Sequence, residues 1–402
     1  MSELRASRRG LFRAAAAGLA AGTLPSAASA APPMVRGTGD LGLVVERATG
    51  SLLLVDTTAR AVLARIEGLG DMSHASLVFD RSERYAFVFG RDGGLTKVDL
   101  LTASIVKRVV QGGNAIGGAI SDDGKLVAVS NYAPGGVRVF DTETLEMVAD
   151  VPAIDAKGAP SKTVGLVDLP FRTFVWSLLD GDEIWIGDFT DPRTPKITKF
   201  PGIGRLPYDG VATSDGRWYV AGLFGEDALT RLDLWTEGAK PEKVLAGYGK
   251  GAEPLPVYKM PHMEGWGSAG NLLLIPAVAH HSVLAVDRDT FREVGRIAAH
   301  GQPVFCVARP DGRQVWVNYA HPKNDTVEVI DVPSLKVVHT LKPGPAVLHL
   351  EFTPRGHEVW ISVRDADRID IHETKTFRKV GEIAAKSPSG IFFTPRAHRL
   401  GV

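Results

Sequence analysis

Residues able to do chemistry recur at one place in this sequence. His74 stands just before the alternating stretch "SLVFDRSERYAFVFGRDGGLTKVDL". The matching place in later stretches holds Asn114, Lys162 or Thr163, Tyr208, His262, Gln302, His349 and Ser389. A second set follows the next strand of each stretch: Arg47, Arg91 with Asp92, Asn131 with Tyr132, Glu226, His280 with His281, Tyr319 with His321, and Arg364 with Asp365. Imidazole and phenol groups bind metals or move protons, and the guanidinium fork suits carboxylates. Each arginine alone is more simply a surface ion pair, Arg91 with Asp92 for example. Ringed around histidines, a tyrosine and amides, they describe a binding mouth.

Such a convergence needs a fold that returns the chain repeatedly to one rim. The sequence supplies it as self-similarity. "ISDDGKLVAVSNYAPGGVRVFDTETLEMVADVP", "ARPDGRQVWVNYAHPKNDTVEVIDVPSLKVVHTL" and "FTPRGHEVWISVRDADRIDIHETKTFRKVGEI" are copies of one unit. Each alternates apolar and polar residues, as half-buried strands do, and turns at Asp, Gly or Pro. An apolar-Asp anchor falls at Asp56, Asp99, Asp141, Asp233, Asp287 and Asp331, with His372 in the last copy. The interval is 41 to 44 residues except across Asp141–Asp233 and across Asp233–Asp287, where an insertion stretches it to 54; this is the period of a four-stranded propeller blade. The gap between Asp141 and Asp233 holds two units, one of them the degenerate stretch 164–200.

Counting units predicts an all-β, eight-bladed β-propeller. The tail "PSGIFFTPRAHRLGV" is half a unit and the start "LGLVVERATGSLLLVDTTARAVLARI" lacks that half. One blade shared by N- and C-terminal strands completes the ring and removes open sheet edges. Seven blades is the alternative, should the 164–200 unit pack differently. Cys306 lies on an inner strand and Trp176, Trp185, Trp316 and Trp360 at seam positions, all expected in the core. His357 and His398 fall at opposite-face turns and His339 on an outer strand. "GGNAIGG" precedes a strand rather than a helix, so it is no phosphate loop.

Composition bounds the rest. Lys+Arg and Asp+Glu both total 46, so the basic excess of a nucleic-acid binder is missing. The single cysteine excludes an intrachain disulfide and a Cys-based metal site. Without C-x-x-C-H there is no covalently attached c-type haem. "SRRGLFRAAAAGLAAGTLPSAASA" reads as a Tat signal, with twin Arg8-Arg9 and cleavage after Ala30. The domain plan is therefore a cleaved leader over 1–30, a linker over 31–39 and the propeller over 40–402, exported to the periplasm, with no membrane span.

"MSHASLVFDRSERYAFVFGRDGGLTKVDL" resembles the d1-haem propeller of cytochrome cd1 nitrite reductase, and "LPYDGVATSDGRWYVAGL" resembles a second segment of it. The resemblance implies that His74 is the axial ligand of a haem iron, with Arg91 near the macrocycle's carboxylates. It places Tyr208 where that family carries a distal histidine. "MPHMEGWG" loosely resembles the segment bearing the second, making His262 its counterpart. The mature chain has no cytochrome c domain, and in that it is similar to the NirF-type family of haem d1 biosynthesis proteins. The resemblance implies binding of haem d1 or a late precursor. His74, Tyr208 and His262 would form the catalytic set. Arg47, Arg91, Asn114, Asn131, Tyr132, Gln302, Tyr319, His349 and Arg364 would hold the cofactor beside His74.

The chemistry consistent with this set is a late side-chain modification or dehydrogenation, with an outside electron acceptor. Three rivals stand beside it: a non-catalytic carrier delivering the cofactor to nitrite reductase, a generic YVTN-type propeller that docks proteins, and direct nitrite reduction, which the absence of a haem c and Tyr208 in place of a distal histidine argue against. Partners on the first reading are the d1-type tetrapyrrole, nitrite reductase and other haem d1 maturation proteins. A homodimer stays open.

Overall fold

The computed structural model of the chain describes residues 37–248 and 265–399. His262 and the residues expected to form the leader lie outside them. The described residues form eight four-stranded antiparallel sheets, the eight blades of the expected propeller. The degenerate unit makes a blade of its own, with strands Thr163–Leu169, Thr173–Leu178, Glu183–Asp188 and Lys196–Pro201. Its apolar-Asp anchor is Asp188.

Blades are numbered here along the chain. Blade 1 is built from Leu41–Glu46, Ser51–Asp56 and Ala61–Ile66, with Pro388–Phe393 from the far end of the chain added as innermost strand. Gly42 opposite Phe393 and Leu43 opposite Phe392 fix the register. A 3-10 turn, Thr394–His398, continues beyond it. Thr394 Oγ1 donates to Thr38 O at 2.6 Å and to Leu41 O at 3.1 Å. Arg396 Nη1 meets Glu351 Oε2 at 3.2 Å, and Arg81 donates to the Ala397 carbonyl.

Middle strands are buried on both faces, as "YAFVF" in Tyr85–Phe89 shows, because neighbouring blades cover them. Outer strands such as Ser104–Val110 mix exposed and half-buried residues. Each of the eight apolar clusters among the described residues joins two consecutive blades. The core is thus a ring of seams. Trp176, Trp185, Trp316 and Trp360 are fully buried in them, and Cys306 is buried too, its thiol pushed up by desolvation.

The recurring aspartates close the turn after the third strand. Asp56 Oδ1 accepts from the N–H of Thr58 and Ala59, both at 2.8 Å. Asp99, Asp141, Asp188, Asp233, Asp287 and Asp331 take backbone N–H groups in the same way. The anchor is therefore an Asx turn, a structural device. Where blade 8 has His372 instead, the ring Nδ1 pairs with Phe377 O at 3.0 Å.

Inner strands carry a second repeated device. The ladder shifts register in blade 4 between Val164 and Val167, in blade 5 between Pro207 and Gly210, in blade 7 between Pro303 and Cys306, and in blade 8 between Val347 and Leu350. Two residues there oppose one partner, which is a β-bulge and re-aims side chains. Buried polar residues on the second strand serve the bulged backbone. Asn318 Oδ1 accepts from Phe305 N at 2.9 Å, and Ser362 Oγ accepts from His349 N at 2.8 Å.

Candidate functional site

His74 sits in the turn before Ser76–Phe79, the inner strand of blade 2, and is exposed. The arm that carries it is built from below. Gly70 has φ +84, and a Cβ there would lie 2.3 Å from Asp92 Oδ2 and 2.4 Å from Arg108 Nη2. Only glycine permits that approach without strain. Arg108 Nη2 meets Asp92 Oδ2 at 2.5 Å, and Arg108 Nε donates to Leu69 O at 3.2 Å. Ser73 N donates to Asp71 Oδ1 at 2.8 Å, and Arg91 N to Asp71 O at 2.8 Å.

Asp92 thus pairs with Arg108, not with Arg91, which corrects the simplest sequence reading of Arg91. The Arg91 guanidinium instead lies over the Tyr132 ring, 5.6 Å from its centroid. Across the rim, burial draws the half-buried Arg47 guanidinium below its ordinary value. The neighbouring Arg364 charge adds to this, and Asp71 opposes it. Arg364 Nε itself reaches Asp365 Oδ1 at 2.6 Å. Blades 8, 1 and 2 therefore present three arginines on one sector of the mouth, with Asp71 among them.

The sector on blades 4 to 6 gathers no such set of arginines, and its charged residues lie in local pairs. Lys162 meets Asp180 at 3.3 Å and Glu226 meets Lys243 at 2.6 Å. His280 Nδ1 lies 3.1 Å from Arg296 Nη1.

Between these sectors a crevice of about 100 Å³ brings together His74 and Ser76 from blade 2, Gly117 and Tyr132 from blade 3, Gly165 from blade 4, and Tyr208 with Asp209 from blade 5. Tyr132 and Tyr208 share a side-chain hydrogen bond. Burial first, then that bond and the Asp209 charge, push the Tyr132 phenol up, so it keeps its proton. The Tyr208 ring tilts against Phe224 at 5.6 Å. Gly165, with φ +59, lets blade 4 touch blade 5: a Cβ would sit 2.6 Å from Gly210 N and 2.8 Å from the Tyr219 hydroxyl. That hydroxyl donates to Gly165 O at 2.8 Å and meets Ser177 Oγ at 3.0 Å.

The remaining candidates divide by what their polar atoms touch. Asn131 is fully buried and its amide pairs reciprocally with Gln111, at 2.9 and 3.1 Å, so it braces the mouth from within. Tyr319 is buried with its hydroxyl on Glu328 and its ring edge-on to His300 at 5.8 Å. His349 lies on the blade 8 inner strand between Phe305 and Phe392, at 5.7 and 5.6 Å, and its Nδ1 accepts from Ile391 N at 3.2 Å. The side-chain oxygens of Asn114 and Gln302 are buried without a hydrogen-bond partner. An unpartnered buried acceptor costs about 1–3 kcal/mol, so these two oxygens are where a donor from a ligand or water belongs.

Sequence reasoning missed Asp209, Gln111 and the polar residues that serve the bulges. The signal was present: "VAVSNY", "FVWSLL", "VWVNYA" and "VWISVR" each place Ser or Asn inside an otherwise apolar strand.

The model of the cytochrome D1 heme domain family matches residues 36–397. The chain is 55% identical over 382 residues to the protein NirF of Pseudomonas aeruginosa, covering 94% of this chain and 97% of that one. It is 26% identical over 366 residues to the dihydro-heme d1 dehydrogenase of the same organism, covering 87% of this chain and 70% of that one. Among solved structures, the dihydro-heme d1 dehydrogenase NirN in complex with DHE superposes with a TM-score of 0.79 at 24% identity, over 94% of this chain and 79% of that one.

Proposed function

The chain belongs to the cytochrome D1 heme domain family, and from that premise we propose that it is a haem d1 biosynthesis protein that binds haem d1 or a late precursor at the mouth of its central channel. The observation that carries this reading is the crevice itself. An exposed imidazole and a hydrogen-bonded tyrosine pair from three different blades line one space.

The residues present suit such a group. A neutral imidazole is a good iron ligand, and His74 stands on a braced arm at the rim. Arg47, Arg91 and Arg364 form a cationic sector suited to the acidic side chains of a tetrapyrrole. The Arg364 charge acts on Arg47, and a carboxylate bound between them would offset that repulsion. The crevice, at about 100 Å³, is smaller than the roughly 300–1,000 Å³ of a typical ligand pocket. His74, Tyr132 and Tyr208 would face a bound group from this crevice, and the arginines would hold its carboxylates from the open mouth.

When bound, the tetrapyrrole supplies an iron to be ligated and acidic side chains to be modified. The chain's own part is to hold His74 and the arginines in place and to keep the Tyr132 phenol protonated as a donor toward Tyr208. A late side-chain modification or dehydrogenation is the reaction class this favours. The reading includes export by the Tat route to the periplasm, carried by Arg8-Arg9 and the residues up to Ala30. Nitrite reductase is the proposed destination of the cofactor.

The test is a visible-spectrum titration of the mature protein with haem d1, beside His74→Ala. A band shift in the wild type that the variant loses is expected. No shift in either protein would overturn the reading and leave the protein-docking propeller. Product analysis after incubation with precursor then separates modification from carriage, because a carrier returns it unchanged.

A further inference from the structure

In a regular strand, consecutive side chains point to opposite faces. Tyr208 and Asp209 are consecutive, yet both line the crevice that holds His74. The cause is the bulge between Pro207 and Gly210 in the blade 5 inner strand. Bulges re-aim side chains in this way. Gly210 N donates to Asp209 Oδ1 at 2.9 Å, which fixes the carboxylate in that turn of the backbone. Gly165 gives up its Cβ so that blade 4 can lie against Gly210.

Four groups capable of proton transfer therefore face one space: His74, Tyr132, Tyr208 and Asp209. On the haem d1 reading above, on which this inference rests, the His74 lone pair is committed to iron. Tyr132 and Tyr208 are phenols paired with each other, and burial together with that pairing keeps the proton on Tyr132. Tyr219, just beneath, is fully buried with its hydroxyl on Gly165 and Ser177. A carboxylate is the group of this set that accepts without also donating.

We propose that Asp209 is the proton acceptor of the site. A C–H bond of the bound tetrapyrrole breaks heterolytically. The electron pair stays with the ligand, and the proton passes to the Asp209 carboxylate and from there to solvent at the mouth. The transfer is charge-balanced and needs no oxidant. The following oxidation, where one occurs, belongs to an external electron acceptor such as a haem protein.

The experiment uses the mature protein with dihydro-haem d1 in heavy water. Affinity is read from the visible spectrum and deuterium entering the bound ligand from mass spectrometry. Asp209→Asn is expected to bind within about threefold of the wild type while exchange falls on the order of 100-fold, the usual weight of a general base. Asp209→Glu, which keeps the carboxylate, is expected to recover part of the exchange and guards against a folding defect in the amide variant. Exchange unchanged in Asp209→Asn, or no exchange by the wild type above the ligand alone, overturns the assignment. So does loss of affinity beyond about tenfold in both variants, which would make Asp209 a positioning residue. A wild type that gives no spectral shift fails earlier, at the tetrapyrrole reading itself.

Discussion

At the scale of single residues, the site depends on what lies under its reactive groups. His74 was visible in the sequence because it precedes an alternating strand. The Arg108–Asp92 pair beneath its arm was not, since the two residues are 16 apart and meet only through the hairpin that separates them. Gly70 is the point where this matters most. Gly70→Ala places a Cβ against Asp92 and Arg108 at φ +84. It is expected to cost about 1–3 kcal/mol and to weaken the His74-dependent band shift. Urea unfolding beside the haem d1 titration checks both. A variant as stable as wild type with unaltered binding would mean that the arm is not held this way. Asn131 and Tyr319 show the opposite lesson. Their types and positions suggested ligand contacts, but a partner 20 residues away for one and nine for the other takes up their polar atoms.

At the scale of the blade, the periodic aspartate was legible as a repeat but not as a turn-former, because spacing alone says nothing of which N–H groups it accepts. Blade 8 departs from the pattern, and the departure has a pH signature. Burial holds the His372 imidazole below its ordinary value, outweighing the Phe377 carbonyl and the Asp370 charge. The folded protein therefore binds fewer protons here than the unfolded chain. The stability contributed by the neutral ring is fully present above about pH 6.5 and is lost as pH falls through the folded value. The unfolding temperature is expected to drop as pH falls below about 6.5, and His372→Asn, which keeps an acceptor for an Asx turn without titrating, is expected to flatten that drop. Equal slopes for the two proteins in thermal scans would remove His372 from the account. The bulges belong to this scale too. They explain why neighbours such as Tyr208 and Asp209 serve one site, which an alternating pattern argues against.

At the scale of the molecule, the number of blades and their shared closure were readable because half-units stand at the two ends of the propeller. The unequal division of the mouth was not readable. Blades 8, 1 and 2 bring three arginines together, with Asp71 and Asp365 among them, whereas blades 4 to 6 carry local pairs such as Lys162 with Asp180, and only the ring's curvature decides which residues become neighbours. Closure is held by an ion pair between Arg396 and Glu351, with side chains 15% and 5% exposed. Burial pushes the Glu351 carboxyl up while Arg396 and Arg399 pull it down. Arg396→Ala strands that carboxyl and is expected to cost about 3–5 kcal/mol, read as a lowered unfolding temperature. Glu351→Gln in the same background is expected to restore part of it. A double variant no better than the single would place the stabilisation elsewhere.

The strand that completes blade 1, Pro388–Phe393, is also among the last parts of the propeller to be synthesised. Until it is made, the first blade lacks its innermost member and the His74 arm has no finished wall beside it. The cationic sector likewise needs blade 8, blade 1 and blade 2 seated together. A chain broken off before Pro388 would keep every candidate ligand residue from Arg47 to Arg364 and still present no rim for a pigment to rest on. Competence to hold a cofactor therefore arrives late and at once. On the proposed function, a chain cut off before Pro388 would be expected to hold no tetrapyrrole at this mouth.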